Sequence, residues 1–206
     1  MNTPRRTQAE RSASTQALLI EAAIDSLVEH GWAATTSVEV CARAGVTRGA
    51  FTHHFSSLPS LLAAALQSLY DEVASNAPRP GRSLVEFVDG VWATISPPRF
   101  KAMLEAWLAM ANDPALGEHL GPVVLRFAAL VSPERLEPAS DPAHAPTSGG
   151  GASDADRHAF CLLARETMLG LVLGRATNGG RPLGHEHLVL DLLRERAREL
   201  DAHVRA

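Results

Sequence analysis

The stretch "AGVTRGAFTHHF", residues 44–55, decides the fold, because it joins two short helical segments through a tight turn. Gly45 is able to take a positive φ and so turn the chain sharply after the first segment. Thr47 is a typical N-cap for the next helix, on which Phe51 and Phe55 lie four residues apart and share a face. The stretch therefore predicts a helix, a glycine turn and a second short helix.

The segments around this stretch extend the pattern. Apolar residues recur at helical spacing over residues 14–30, which predicts an amphipathic helix that ends at Gly31. Thr36 and Glu39 have the spacing of a capping box and open the helix before the glycine turn. A long fourth helix is predicted over about residues 57–75. The first three helices form a helix-turn-helix, in which the second short helix is the one that enters a DNA major groove.

The rest of the chain keeps a helical period, without strand-like alternation. Helices are predicted over about residues 82–96, 98–112, 115–132, 154–177 and 184–204. Residues 137–153 are rich in Pro, Ser, Ala and Gly and lack large apolar side chains, which predicts a mobile loop. We predict an all-α fold with an N-terminal helix-turn-helix domain at residues 1–56, including a basic N-terminal arm, and a C-terminal helical domain at residues 57–206.

Composition limits the function classes. The chain has 206 residues, a formal net charge of -4 and 46% hydrophobic residues, which suffices for a packed core but argues against a wholly polyanion-binding surface. Its two cysteines, Cys41 and Cys161, lie in separate apolar helical patterns and are expected to be reduced. No apolar run is long enough to span a bilayer, and the N-terminus has no signal-peptide pattern. We expect a soluble, cytoplasmic protein without a membrane partner.

Metal binding and catalysis find no support in the motifs. Adjacent helical residues point about 100° apart, and no cysteine or carboxylate lies one turn from His53 and His54 to complete a metal site. The sequence has no G-x-S-x-G elbow, P-loop, HExxH or dinucleotide-binding fingerprint. We therefore expect no enzyme activity, no cofactor and no metal.

Residues 14–66 resemble the DNA-binding domain of TetR-family transcriptional regulators, from "IEAAIDSLVEHGWAATT" through "VCARAGVTRGAFTHHF" to "LLAAAL". The resemblance implies a homodimer that reads a pseudo-palindromic operator in double-stranded DNA and is released, as a repressor, by a small-molecule effector. It implies that the following residues contact DNA: Thr36, Ser37, Thr47, Arg48, Gly49, Thr52, His53 and His54. The forked donors of Arg48 suit guanine, and Gly49 removes bulk where the helix approaches base edges.

Two positions depart from the family pattern. Thr52 stands where the family usually has a phosphate-contacting tyrosine, and Leu58 stands where it usually has lysine. Within residues 1–55 five arginines balance five acids, so we expect a weakly charged DNA-binding head with a shallow salt dependence. The alternative function is a dimeric small-molecule-binding protein with weakened or lost DNA binding.

The C-terminal domain supplies candidates for the effector site and the dimer interface. Large apolar and aromatic residues concentrate on the helices that wrap a cavity in this architecture, so a largely apolar effector is expected. The candidate ligand-binding residues are Phe87, Trp92, Phe100, Met103, Trp107, Met110, His119 and Phe127. Leucines recur at helical spacing within residues 154–204, where Gly170 and Gly174 share a face that another helix can approach. The resemblance implies that this segment forms the dimer interface.

Overall fold

The computed structural model describes residues 7–76, 83–135 and 153–205, which are helical and contain no β-strand. The helices within these residues are α1 (Gln8–His30), α2 (Ser37–Ala44), α3 (Arg48–His54), α4 (Leu58–Asn76), α5 (Leu84–Ile95), α6 (Lys101–Asn112), α7 (Gly117–Leu130), α8 (Asp154–Thr177) and α9 (Glu186–Arg205). Short 3₁₀ turns at residues 98–100 and 114–116 precede α6 and α7, and a third follows α7 at residues 133–135. The predicted all-α class is confirmed.

The start of α1 differs from the prediction. The helix begins at Gln8 rather than at residue 14, because Thr7 and Glu10 form a complete capping box. The Thr7 hydroxyl accepts from Glu10 N at 3.2 Å, and the Glu10 carboxylate accepts from Thr7 N at 2.7 Å. The first two turns therefore add a polar, exposed surface to the N-terminal end of α1.

The predicted capping box of α2 is only half formed. The Thr36 hydroxyl accepts from Glu39 N at 3.2 Å, as expected for an N-cap. The Glu39 carboxylate instead accepts from Arg43 Nε at 2.9 Å, one turn further along the same helix. The Glu39 side chain thus forms an i,i+4 ion pair and does not accept from the Thr36 amide.

The chain divides into two compact units. The first holds the described residues as far as Glu72 together with Arg99–Arg126, and the second holds those of Val73–Pro98 and of the chain from Phe127 onward. The helix-turn-helix therefore shares a unit with α6 and most of α7. The division into domains at residues 1–56 and 57–206 stays a prediction.

Helix α1 is the centre of the first unit. It contacts α2, α3 and α6, and its residues Leu19, Ile24 and Leu27 are fully buried. Leu66 of α4 and Met103 of α6 are likewise excluded from solvent. These apolar positions recur at helical spacing and supply most of the unit's stability through burial.

In the second unit, α5 packs against both α8 and α9. The Asp201 carboxylate caps α5 by accepting from Leu84 N at 2.9 Å, and it also accepts from Arg157 Nη1 at 2.7 Å. At Gly174 a Cβ atom would lie 2.6 Å from Leu183 Cδ1, so a residue of the same chain covers this glycine. Of the two glycines predicted to admit another helix, only Gly170 has no atom within 4 Å of its Cβ position.

Two predicted features lie outside the described residues. One is the basic arm predicted at Arg5, Arg6 and Arg11, apart from Arg11, which lies within α1 and not before it. The other is the loop predicted at residues 137–153, apart from Ser153. Within the described ranges no helix combines the length and apolarity that a membrane span requires.

Candidate nucleic-acid interface

The turn between α2 and α3 fixes how α3 is presented. Gly45 ends α2 in the left-handed conformation, with φ 66° and ψ 30°. Val46 N donates to Cys41 O at 3.1 Å, which closes the turn. The Thr47 hydroxyl then accepts from Ala50 N at 3.1 Å and begins α3. Each predicted role of Gly45 and Thr47 in this turn is observed.

Helix α3 is anchored by one face only. Phe51 and Phe55 are both buried, and their ring centroids lie 6.3 Å apart. The predicted DNA-contacting residues Arg48, Thr52 and His53 are exposed on this short helix. The sequence-based separation of inward phenylalanines from outward polar residues therefore matches the structure.

The outward face of α3 is least bulky at Gly49, which has no side chain. A Cβ atom at this position would find no atom closer than the Thr47 hydroxyl at 3.8 Å. The Thr52 hydroxyl donates to Gly49 O at 3.1 Å, so part of its hydrogen-bonding capacity is used within the helix. A gap beside Arg48 is the shape that a base edge in a major groove requires.

The N-terminus of α2 contributes two further predicted contacts. Thr36 is exposed and Ser37 is half-buried at the first position of the helix. Free amide groups and the positive end of the helix dipole favour phosphate oxygens at such a place. Their role in binding DNA stays a prediction.

An open cleft lies between the start of α1 and the end of α3. It has a volume of about 540 Å³ and is lined by Gln8, Ala9, Arg11, Ser12, Thr15, His53 and His54. The two imidazole rings lie edge to face, with centroids 5.1 Å apart. The α1 residues of this cleft were not among the predicted contacts, because residues 8–13 were not assigned to a helix. The capping-box spacing of Thr7 and Glu10 is the sequence signal that indicates this earlier helix start.

Arg43, on α2, is held in ion pairs within the helix-turn-helix. Its guanidinium binds Glu29 Oε2 at 2.7 Å and Glu39 Oε1 at 2.9 Å, which joins α2 to the end of α1. The hydrogen bond from Arg43 lowers the pKa of the Glu29 carboxyl, and its positive charge adds to this effect. Arg43 is therefore a structural cation.

The predicted effector-binding residues divide between the two units. In the first unit Phe100 and Met103 are buried, and the Trp107 ring meets Phe100 edge to face at 6.0 Å. Met110 lies half-buried, with its methyl group 4.0 Å from the Cβ position of Gly121, whereas His119 is exposed. These contacts bring Phe100 and Trp107 together and leave His119 at the surface.

In the second unit Phe87 and Phe127 are buried, and Trp92 is half-buried. The Arg175 guanidinium lies over the Trp92 ring, 4.8 Å from its centroid. Arg175 also donates to Ser96 O at 3.0 Å and pairs with the buried Glu186. That these residues bind a ligand stays a prediction. Within the described ranges no three His, Cys, Asp or Glu residues are grouped so as to hold a metal ion.

An exposed recognition helix, a glycine turn and a bracing first helix define a helix-turn-helix protein. The family model described as "Bacterial regulatory proteins, tetR family" matches residues 19–65. The transcriptional regulator CymR of Pseudomonas putida is 34% identical over 133 residues, which is 61% of this chain and 66% of CymR. The matched segment belongs to the TetR family, whose members are transcriptional regulators and not enzymes.

Solved structures show the same fold over nearly the whole chain. Salmonella enterica GusR has a TM-score of 0.62 at 18% identity, covering 97% of this chain and all of GusR. The multidrug binding protein EbrR complexed with imidazole has a TM-score of 0.56 at 22% identity, covering 90% and 93% of the two chains. EbrR has also been solved complexed with proflavin. The segment matched in CymR falls just short of two thirds of that protein.

Proposed function

We propose that the protein is a ligand-responsive transcriptional repressor that binds a pseudo-palindromic DNA operator as a homodimer in the cytoplasm. The exposed face of α3 carries the proposal, because Arg48 and His53 lie outward while Phe51 anchors the helix. Family membership supports the same function.

Each part of this surface has a distinct task in the proposal. Arg48 reads guanine O6 and N7 through its forked donors, and Gly49 admits the base edge. Arg11 and His54 of the cleft bind the phosphate backbone beside the groove. Thr36, at the start of α2, binds a second phosphate. Base contacts thus give specificity, and phosphate contacts give orientation and affinity.

The proposed dimer forms through α8 and α9. Leu163 and Leu173 on α8 and Leu188 and Leu192 on α9 are between 49% and 65% exposed in the single chain. Four exposed leucines on two adjacent helices are costly to leave in water, and a second copy of the same surface buries them symmetrically.

The proposed effector is a small, largely apolar molecule. Phe100, just before α6, and Trp107, on α6, supply an aromatic pair. EbrR, which has a similar fold, is solved complexed with imidazole and with proflavin, which supports a small ligand with an aromatic ring. By linkage, an effector that binds the conformation with lower DNA affinity depletes the DNA-bound form.

Selection of duplexes from a random pool, followed by anisotropy titration, tests DNA binding directly. We expect the wild-type protein to select a pseudo-palindrome. Arg48→Ala should weaken binding by about 1–3 kcal/mol and relax one base position in each half-site. Arg126→Ala is the matched control, because Arg126 is exposed and lies over the Tyr70 ring. Unchanged affinity and base preference in Arg48→Ala would remove this residue from the reading set.

A second candidate function is a dimeric ligand-binding protein with weakened or lost DNA binding. Two observations favour it: the Thr52 hydroxyl donates within α3, and the apolar Leu58 occupies the first position of α4. Selection that enriches no duplex, combined with thermal stabilisation by small aromatic compounds, would establish this alternative.

A further inference from the structure

Two side chains of α6 bind the backbone groups that would form the next hydrogen bond of α1. In a continuing helix, Trp32 N would donate to Val28 O, four residues earlier. Here Lys101 Nζ donates to Val28 O at 2.6 Å, and Glu105 Oε2 accepts from Trp32 N at 2.9 Å. One i,i+4 pair of α6 thus satisfies both halves of the missing bond. A cation at the C-terminal end of a helix is also favoured by the helix dipole.

Gly31 makes this arrangement sterically possible. Its backbone has φ 80° and ψ -179°, a conformation that side-chain-bearing residues avoid. A Cβ atom at Gly31 would lie 3.1 Å from both carboxylate oxygens of Glu105. The turn is held further by Thr35 Oγ1, which donates to Gly31 O at 2.8 Å and lies 2.9 Å from Ser26 Oγ.

This turn lies between the two proposed functional regions. It runs directly into Thr36 and Ser37, the proposed phosphate contacts at the start of α2. Helix α6 also carries Met103 and Trp107, two of the candidate effector-binding residues. Two specific hydrogen bonds therefore join α6 to the end of α1.

We infer that Lys101 and Glu105 are positioning residues that couple α6 to DNA binding by holding the turn between α1 and α2. When α6 withdraws, Trp32 N and Val28 O are free to pair with each other. Gly31 is able to take the helical conformation as readily as its present one, so α1 extends and displaces Thr36. The end of α1 is thus a two-state element that α6 biases. The inference rests on the proposed function.

The two residues carry opposite charges, which separates positioning from electrostatics. Glu105→Ala removes a negative charge and Lys101→Met removes a positive one. A charge effect would tighten DNA binding in the first variant and weaken it in the second. Positioning predicts that both variants lose about tenfold in affinity for the duplex selected by the wild type, with affinity for random duplex changed about twofold or less. Glu105→Gln keeps an acceptor for Trp32 N and should retain most of the affinity.

Hydrogen exchange of the Trp32 amide supplies a second measurement. In the wild type the amide has an acceptor in both states, Glu105 in the turn and Val28 O in the extended helix, so the selected duplex should change its exchange little. In Glu105→Ala the turn offers no acceptor, so adding the selected duplex should speed the exchange. Glu86→Ala is the matched control, because the Glu86 carboxylate also accepts from a backbone amide, Ser83 N, but in the other unit. Glu86→Ala should leave unchanged the ratio of the affinity for the selected duplex to the affinity for random duplex. This ratio is measured at a temperature where all variants are folded.

Three results would overturn the inference. Opposite shifts in the two variants would show a charge effect, and an unchanged affinity ratio with lowered thermal stability would show a purely structural role. In both cases the proposed function stands, because the wild type still selects its duplex. A wild-type protein that selects no DNA would refute the proposed function, and the coupling with it.

Discussion

Replacing Gly31 by alanine tests the contact between α6 and the end of α1 through stability alone. The backbone at Gly31 has φ 80° and ψ -179°, which costs a residue with a side chain about 2 kcal/mol. The new Cβ would also lie 3.1 Å from each oxygen of Glu105 and push the carboxylate away from Trp32 N. Loss of a hydrogen bond to a charged group costs about 1.5–3 kcal/mol.

The reduced freedom of the unfolded chain returns about 0.4–1 kcal/mol to an alanine variant. We therefore expect Gly31→Ala to lower the free energy of unfolding by about 3 kcal/mol, measured by urea denaturation and circular dichroism at a fixed protein concentration. Gly45→Ala is the matched control, because Gly45 has φ 66° but no atom within 4 Å of its Cβ position. It should cost about 1 kcal/mol, for the left-handed conformation only.

A double-mutant cycle isolates the steric part of the effect. In a Glu105→Ala background no carboxylate meets the new methyl group, so Gly31→Ala should cost less there by about 1–2 kcal/mol. Equal costs for Gly31→Ala and Gly45→Ala, or an equal cost of Gly31→Ala in both backgrounds, would refute the reasoning.

Three further predictions concern the second unit and the proposed interfaces. The hydrogen bond from Arg175 lowers the pKa of Glu186 below its ordinary 4.5, so the stability it adds is present above that pH and is lost as the pH falls through the lowered value. Glu186→Gln should lower the free energy of unfolding by about 3 kcal/mol at pH 7. The difference in this free energy between wild type and variant should shrink on acidification, and a constant difference would contradict the prediction. Leu58→Lys should tighten binding to all duplexes equally and steepen the plot of log K against log salt by about 0.9 per phosphate contact; a flat response in a folded variant counts against a backbone contact at this position. Leu188→Glu should give a monomer by sedimentation, whereas Leu108→Glu, at a leucine of similar exposure in the other unit, should leave the dimer intact.

The sequence predicts helices well where an apolar face recurs at a helical period. The end of α1, the whole of α3 and the bounds of α8 follow from such faces and from their caps. The first two turns of α1 were missed because Gln8 to Ala13 has no apolar stripe. Only the Thr7–Glu10 capping box marks their start, and it is a local signal that periodicity does not contain.

Helical periodicity and capping signals do not predict which distant residues contact each other. Glu105 binds the amide of Trp32, and nothing in the sequence around either residue predicts that they meet. The glycine pair on α8 shows the same limit. Helical spacing placed Gly170 and Gly174 on one face, but it did not predict that Leu183 of the following connection covers Gly174.

A count of charges within residues 1–55 takes no account of which ionised groups form ion pairs in the structure. Of the five acids in this segment, Glu29 and Glu39 bind Arg43, at 2.7 and 2.9 Å. Glu21 binds Arg99, which lies outside the counted segment, at 3.0 Å. Three carboxylates thus lie in ion pairs, although Arg43 brings one positive charge to two of them and its cluster keeps a net charge of -1.

The surface proposed to face DNA carries the exposed Arg11 and Arg48. Glu29 and Glu21 each lie at ion-pair distance from an arginine. Exposed charges are screened beyond a Debye length of about 10 Å, so a paired carboxylate opposes DNA binding less than an isolated one at the same position. The salt dependence of binding follows the number of phosphates contacted and not the net charge of the segment. The shallow dependence expected from the count of five against five therefore stays a prediction, which a titration of affinity against salt tests directly.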